Sequence, residues 1–212
     1  NISNTSGGTT TPSGNVTVNN GVSKSISALP DEGQGHQFVK WVKTGGSGNV
    51  VFDDAYSPNT NVTVTLGNAN ILAYLTEPIS FDTWVVDYIA VGVTKLYCFQ
   101  ATVGTQYSIL LDDSTNGTLT YNGDMKISAY QNDFSTAYFS DVGCSYTFPQ
   151  LLTALQDRFY ILVQGWSYYS AGSYAVKVSP PRFTLYVTNG GNGSTTPSGT
   201  MVVTKDVSTA IS

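Results

Sequence analysis

Nucleophilic catalysis by a hydroxyl or thiol needs a base beside it, and the chain has a single histidine, His36. It sits in Gly35-His36-Gln37, a turn-like setting with no acidic residue at a spacing that would orient an imidazole. Paired carboxylates occur at Asp31-Glu32, Asp53-Asp54 and Asp112-Asp113. Acid–base work needs two carboxyls facing each other across a cleft, whereas neighbours on a strand point to opposite faces. These pairs therefore read as solvated turn residues. Cys98 and Cys144 belong to no CxxC and to no His/Cys cluster, which favours one disulfide over a metal site. Closing that loop stabilises a fold by roughly 4 kcal/mol in the chain-entropy model and implies an oxidising compartment. Two buried thiols are the alternative. Trp166, Tyr168 and Tyr169 cluster in a Gly/Ser-rich hairpin loop and are hard to bury together. An exposed aromatic patch stacks on sugars or contacts a protein, and packing at the end of a domain is the alternative.

The surroundings of these residues are low in charge. Asp, Glu, Lys and Arg make up 11% of 212 residues, under half of the usual share of about 25%, and the formal net charge is −5. Nine Lys and Arg form no basic stripe for nucleic acid. No apolar run approaches the roughly 18 residues that span a bilayer. The opening Asn-Ile-Ser-Asn-Thr-Ser is not a signal peptide, so an export signal would lie upstream of Asn1. Sequons at Asn1, Asn4, Asn15, Asn61, Asn116 and Asn192 permit glycosylation without arguing for it.

The elements that must position these side chains alternate with period two. Val16-Thr17-Val18, Val62-Thr63-Val64, Tyr107-Ser108-Ile109 and Tyr174-Ala175-Val176-Lys177-Val178 are examples, punctuated by Gly, Asn, Asp and Pro. The stretch with helical character is Gln150–Gln156. The chain reads as all-β. Seams at Thr76-Glu77-Pro78 and Ser179-Pro180-Pro181 divide it into residues 1–77, 78–179 and 180–212.

The third segment repeats the first. Thr10-Thr11-Pro12-Ser13-Gly14 returns as Thr195-Thr196-Pro197-Ser198-Gly199, and residues 1–27 meet residues 186–212 without a gap, identical at 12 of 27 positions. Self-similarity at a fixed offset of 185 residues marks a repeat architecture. Phe183, Leu185 and Val187 alternate in a strand that leads into the repeated turn, whereas the first copy starts at Asn1. This predicts that the first module lacks most of its opening strand and that the strand at 183–187 belongs to the next copy or exchanges with a neighbouring chain.

Residues 1–77 resemble the internalin-type B repeat of bacterial surface proteins. The likeness rests on Thr11-Pro12-Ser13-Gly14, Ala28-Leu29-Pro30, Gly35-His36-Gln37-Phe38-Val39-Lys40-Trp41 and Ala69-Asn70-Ile71-Leu72-Ala73, with His36 where that family commonly has Tyr. It implies a small β-grasp-like or β-sandwich module with Phe38 and Trp41 in its core. Residues 78–179 resemble the bacterial pre-peptidase C-terminal domain. There the likeness rests on Leu96–Ile109, Asp124–Tyr130, Phe159–Gly165 and Gly172–Val178. It implies a jelly-roll-like sandwich without peptidase activity, and because some members of that family bind calcium, Asp112, Asp113, Asn116 and Asp124 are the local calcium candidates. The cysteine pair is not part of that family's pattern.

These readings converge on a non-enzymatic, extracellular repeat unit of a long surface protein or filament, with no required cofactor. Its expected partners are neighbouring repeats, identical chains, or cell-surface glycans and proteins. An accessory carbohydrate-binding module of a secreted hydrolase or peptidase is the alternative.

Overall fold

The structure, a computed structural model, describes the chain apart from residues 116, 117, 119, 144–147, 169, 206 and 207, and apart from the side chains of Thr184 and Val202. It divides into two compact units. The first holds Asn1–Pro78 with Lys95–Cys98, and the second holds Ile79–Thr94 and Phe99–Ser212. The fold is all-β.

The first unit contains β1 (Ile2–Asn4), β2 (Gly8–Thr11), β3 (Ser23–Pro30), β4 (Gln37–Gly45), β5 (Asn49–Phe52), β6 (Asn59–Thr65) and β7 (Asn70–Pro78). One sheet runs β2–β3–β6–β5, antiparallel throughout. In the other, β7 lies between parallel β1 and antiparallel β4. Alternation decides what each strand buries. On β7, Ile71, Ala73 and Leu75 are buried while Leu72 and Tyr74 are half-buried on the opposite face. They meet Ile26 and Ala28 of β3, Val62 of β6, Ile2 of β1 and Trp41 of β4 in one core. Phe38 and Trp41 are in that core region with ring centroids 5.9 Å apart. Two sheets sharing a core make this unit a sandwich, and its helical content among the described residues is one turn at Glu32–Gln34.

The second unit contains β8 (Val85–Ile89), β9 (Thr94–Gln100), β10 (Gln106–Asp112), β11 (Met125–Tyr130), β12 (Ala137–Val142), β13 (Gln150–Thr153), β14 (Arg158–Gly165) and β15 (Gly172–Ser179). The middle of β9, Lys95–Cys98, is grouped with the first unit. Its sheets run β13–β10–β15–β8 and β9–β14–β11–β12. Phe99, Tyr107 and Phe159 meet at centroid distances of 5.1–5.8 Å, tilted or edge-on as their quadrupoles prefer. The opposite face of β10 and β15 is also closed. Ser108 and Leu110 are fully buried, and Lys177 reaches Asp82 at 2.7 Å with its ammonium 5.7 Å from the Trp84 ring. The Ser108 hydroxyl accepts the Arg182 N–H at 2.7 Å.

The helical expectation for Gln150–Gln156 is corrected, since Gln150–Thr153 is strand β13, paired with β10. Leu152 and Ala154 are buried while Leu151 and Leu155 are exposed, a period of two that a helix cannot satisfy.

The last strands, β16 (Arg182–Val187) and β17 (Gly199–Thr204), form an antiparallel hairpin with Val187 opposite Gly199. Shifted by the repeat offset, that pair is Ile2 opposite Gly14, which is the bridge seen in the first unit. Likewise Thr196 and Ser212 exchange backbone hydrogen bonds of 2.7 and 2.9 Å, and Thr11 faces Ser27 in the β2–β3 ladder. Gly14 and Gly199 have φ of 75° and 83°, a left-handed conformation that glycine adopts without steric cost.

Candidate functional site

His36 follows the turn at Glu32–Gln34 and opens β4. Its Nδ1 lies 2.7 Å from the Thr76 carbonyl oxygen, so Nδ1–H donates there and Nε2 is left as the acceptor nitrogen. The ring packs on Gly7, where an added Cβ would stand 2.2 Å from it. It lines an open groove of about 850 Å³ with Glu32, Phe38 and Tyr56. Orienting an imidazole for proton abstraction takes a carboxylate or carbonyl on one nitrogen and a nucleophile on the other. Here the first requirement is met by a backbone carbonyl.

The solvated reading of Asp112-Asp113 is corrected. Both are buried, Asp113 completely. Asp112 accepts the Thr118 N–H and hydroxyl, each at 2.8 Å. Asp113 accepts the Thr115 N–H at 3.0 Å, the Thr115 hydroxyl at 3.1 Å and the Met125 N–H at 3.0 Å. A buried carboxylate is tolerable when donors replace its lost water, and these two carboxylates hold the β10–β11 connection in place. Asp124 is half-buried and 3.4 Å from the Thr115 hydroxyl. Asn116, the remaining calcium candidate, lies outside the described residues. Among the described residues no group of three His, Cys, Asp or Glu side chains converges as a metal site would require.

The aromatic loop joins β14 to β15. Trp166 is 53% exposed and Tyr168 71%, while Tyr169 lies outside the described residues. Trp166 and Tyr168 border a cleft of about 210 Å³ with Thr94, Lys126 and Gln164. The fold brings this loop beside the acidic one. Met125 pairs with Gly165, and the Trp166 N–H donates to the Asp124 carbonyl at 2.9 Å. Spacing along the chain carried no sign of that neighbourhood, which arises from the β11–β14 pairing. Cys98 is buried on β9, and Cys144 lies outside the described residues. No described helix is long and apolar enough to cross a membrane.

The strand-exchange candidates sit on β16. Leu185 faces Met201 and Phe183 faces Val203 within the chain's own hairpin. Phe183 is 38% exposed, and Val187 is buried. A second groove, missed in sequence, lies in the first unit. It has a volume of about 450 Å³ and is bordered by Val16, Val18, Val62, Val64, Asn68 and Ile71.

No protein-family model matches the chain, so neither sequence resemblance has the backing of one. No curated protein matches it. Among solved structures, the pre-peptidase C-terminal domain of a collagenase from Bacillus anthracis is similar over 48% of this chain and 91% of its own, at 14% identity and a TM-score of 0.39. PliG of Aeromonas hydrophila, a periplasmic inhibitor of g-type lysozyme, is similar over 49% of this chain and 95% of its own, at 14% identity and a TM-score of 0.36.

Proposed function

We propose that the chain is a non-catalytic, extracellular structural repeat unit, in which a small sandwich and a larger one alternate along a surface protein or filament. The observation carrying this reading is that the repeat recurs in geometry as well as in sequence. Val187 meets Gly199 as Ile2 meets Gly14, and Thr196 meets Ser212 as Thr11 meets Ser27. In such arrays each unit contacts mainly its neighbours and reach grows with copy number. A Cys98–Cys144 disulfide belongs to the proposal, and alkylation with and without reductant tests it. The function is tested by measuring the native polypeptide by mass spectrometry and imaging the same sample in negative stain. A very long chain, or a filament with a two-domain axial repeat, is expected. A compact protein carrying this unit once beside a catalytic domain would overturn it.

A second reading is a carbohydrate-binding module, favoured by exposed Trp166 and Tyr168 beside the polar groups of Thr94, Lys126 and Gln164. Aromatic faces stack on sugar rings while neighbouring donors bond the hydroxyls. Glycan-array binding that is lost in Trp166→Ala would establish it, and silence across the array would eliminate it.

A further inference from the structure

On the face of β2, β3 and β6 turned away from the core, the strand registers line up polar side chains. Thr11 pairs with Ser27 and Ser27 with Asn59, so a hydroxyl, a second hydroxyl and an amide stand side by side across three strands. The next row on that face is Thr9 beside Leu29. Alternation sets these residues opposite the core, since the intervening Thr10, Ile26, Ala28 and Thr60 are buried. Among the described residues, none of the side chains of Thr9, Thr11, Ser27 and Asn59 has a hydrogen-bond partner.

The two rows line the open groove of about 850 Å³, which Tyr56, Phe38 and His36 also border. That volume falls within the roughly 300–1,000 Å³ of small-molecule sites. The Tyr56 ring is 59% exposed, yet the loop that carries it is held at several points. The Ala55 carbonyl accepts the Trp41 N–H at 2.8 Å and the Pro58 carbonyl accepts the Ala28 N–H at 2.9 Å. The Tyr56 N–H itself donates to the Asp54 carboxylate at 2.8 Å. A ring presented on an anchored loop loses little conformational freedom when a ligand covers it.

The chemistry of the lining selects the ligand. It offers hydroxyls, an amide, the Nε2 acceptor of His36 and an exposed aromatic face, with Glu32 as its carboxylate. An anion would meet Glu32 and a chain of net charge −5, so the charge favours an uncharged ligand. A peptide adding as a strand needs an open backbone edge, whereas β3 is paired on both sides, with β2 and with β6. A molecule with many hydroxyls and one flat C–H face meets both the polar row and the ring. We propose that this groove binds an uncharged oligosaccharide, with a sugar ring stacked on Tyr56 and its hydroxyls bonded to Thr11, Ser27 and Asn59. The Trp166 cleft belongs to the other unit, so the two sites are separable, and this one does not depend on how many copies of the unit the native protein carries.

The test screens the 212-residue chain on an array of neutral, sialylated and sulfated glycans. Tyr56→Ala, Tyr56→Phe, Asn59→Ala and Trp166→Ala are screened beside it, with each fold checked by circular dichroism. The expected result is binding of neutral glycans that is at least about tenfold weaker in Tyr56→Ala and Asn59→Ala and largely kept in Tyr56→Phe and Trp166→Ala. Titrating the wild type with the strongest array ligand should then shift the amide resonances of Thr9, Ser27 and Leu29. Silence across the array would overturn the proposal, and so would tighter binding of the anionic glycans. Binding that Trp166→Ala abolishes while Tyr56→Ala and Asn59→Ala leave it intact would overturn it as well and assign the sugar to the other unit.

Discussion

Ile2 and Gly14 exchange both backbone hydrogen bonds, at 2.9 and 2.8 Å, and their repeat equivalents Val187 and Gly199 face each other in the same register. The pair anchors the start of each copy where the chain turns back on itself. A positive-φ glycine lets the second strand leave the turn without a Cβ clash. Gly14→Val is expected to destabilise the first unit, with loss of amide protection at Ile2 and Ile71 in hydrogen exchange. Protection unchanged from wild type would mean that the bridge does not hold β1.

Trp41 is 2% exposed at the centre of the first core, yet its indole N–H has no partner among the described residues. Its contribution is therefore bulk and ring contact with Phe38. Trp41→Ala should cost about 3–5 kcal/mol of unfolding free energy in urea titration. Trp41→Phe should cost clearly less, because it removes the unsatisfied donor along with some volume. Equal losses for the two variants would show that the N–H contributes in solution.

Thr5 continues the work of β1 with its side chain. Its hydroxyl donates to the Leu75 carbonyl and accepts the Leu75 N–H, both at 2.7 Å, in a buried setting. Thr5→Val keeps the shape and removes both bonds, leaving two backbone groups of β7 unsatisfied. The expected loss is about 1–3 kcal/mol by thermal or chemical unfolding. Thr5→Ser should recover most of it.

Asp113 takes three donors from the β10–β11 connection while fully buried. Asp113→Ala strands the Met125 N–H and should lower stability by about 1–3 kcal/mol for that donor alone. Because these oxygens are already engaged, calcium or a chelator is expected to leave the melting temperature of the wild type unchanged. A calcium-dependent rise would instead mean that the loop reorganises around the ion.

Asp133 supplies the pH-sensitive turn. The Ser135 N–H, then the Thr136 N–H and hydroxyl, bond its carboxylate at 2.8–3.0 Å. They hold its pKa well below the ordinary value of 3.8. A depressed folded value means stability that is fully present above about pH 4 and is lost as pH falls toward the folded value. Asp133→Ala should therefore lower the melting temperature at pH 7, and the gap to wild type should narrow as pH drops below about 4. A gap independent of pH would assign the effect to packing.

Much of this was legible along the chain because period two is a local property. Ile71, Ala73 and Leu75 announce their shared face, and the repeated Thr-Thr-Pro-Ser-Gly announces a second copy before any contact is known. What misled were segments whose state depends on distant partners. Leu151–Leu155 has good helix formers, yet pairing with β10 makes Gln150–Thr153 a strand, since tertiary contact outweighs a propensity difference under about 1 kcal/mol per residue. Asp112 and Asp113 resemble surface turn residues by composition, and only the returning 115–125 connection supplies the donors that let them be buried. The neighbourhood of the acidic and aromatic loops, and the groove beside Val16 and Val18, likewise arise from strands far apart in sequence. The sequence by itself determined the strands, the repeat and the low charge, because these follow from side-chain alternation and residue identity. The tertiary structure decided which edges are paired and which carboxylates are buried, because hydrogen-bond partners and excluded water are set by what the rest of the chain brings alongside.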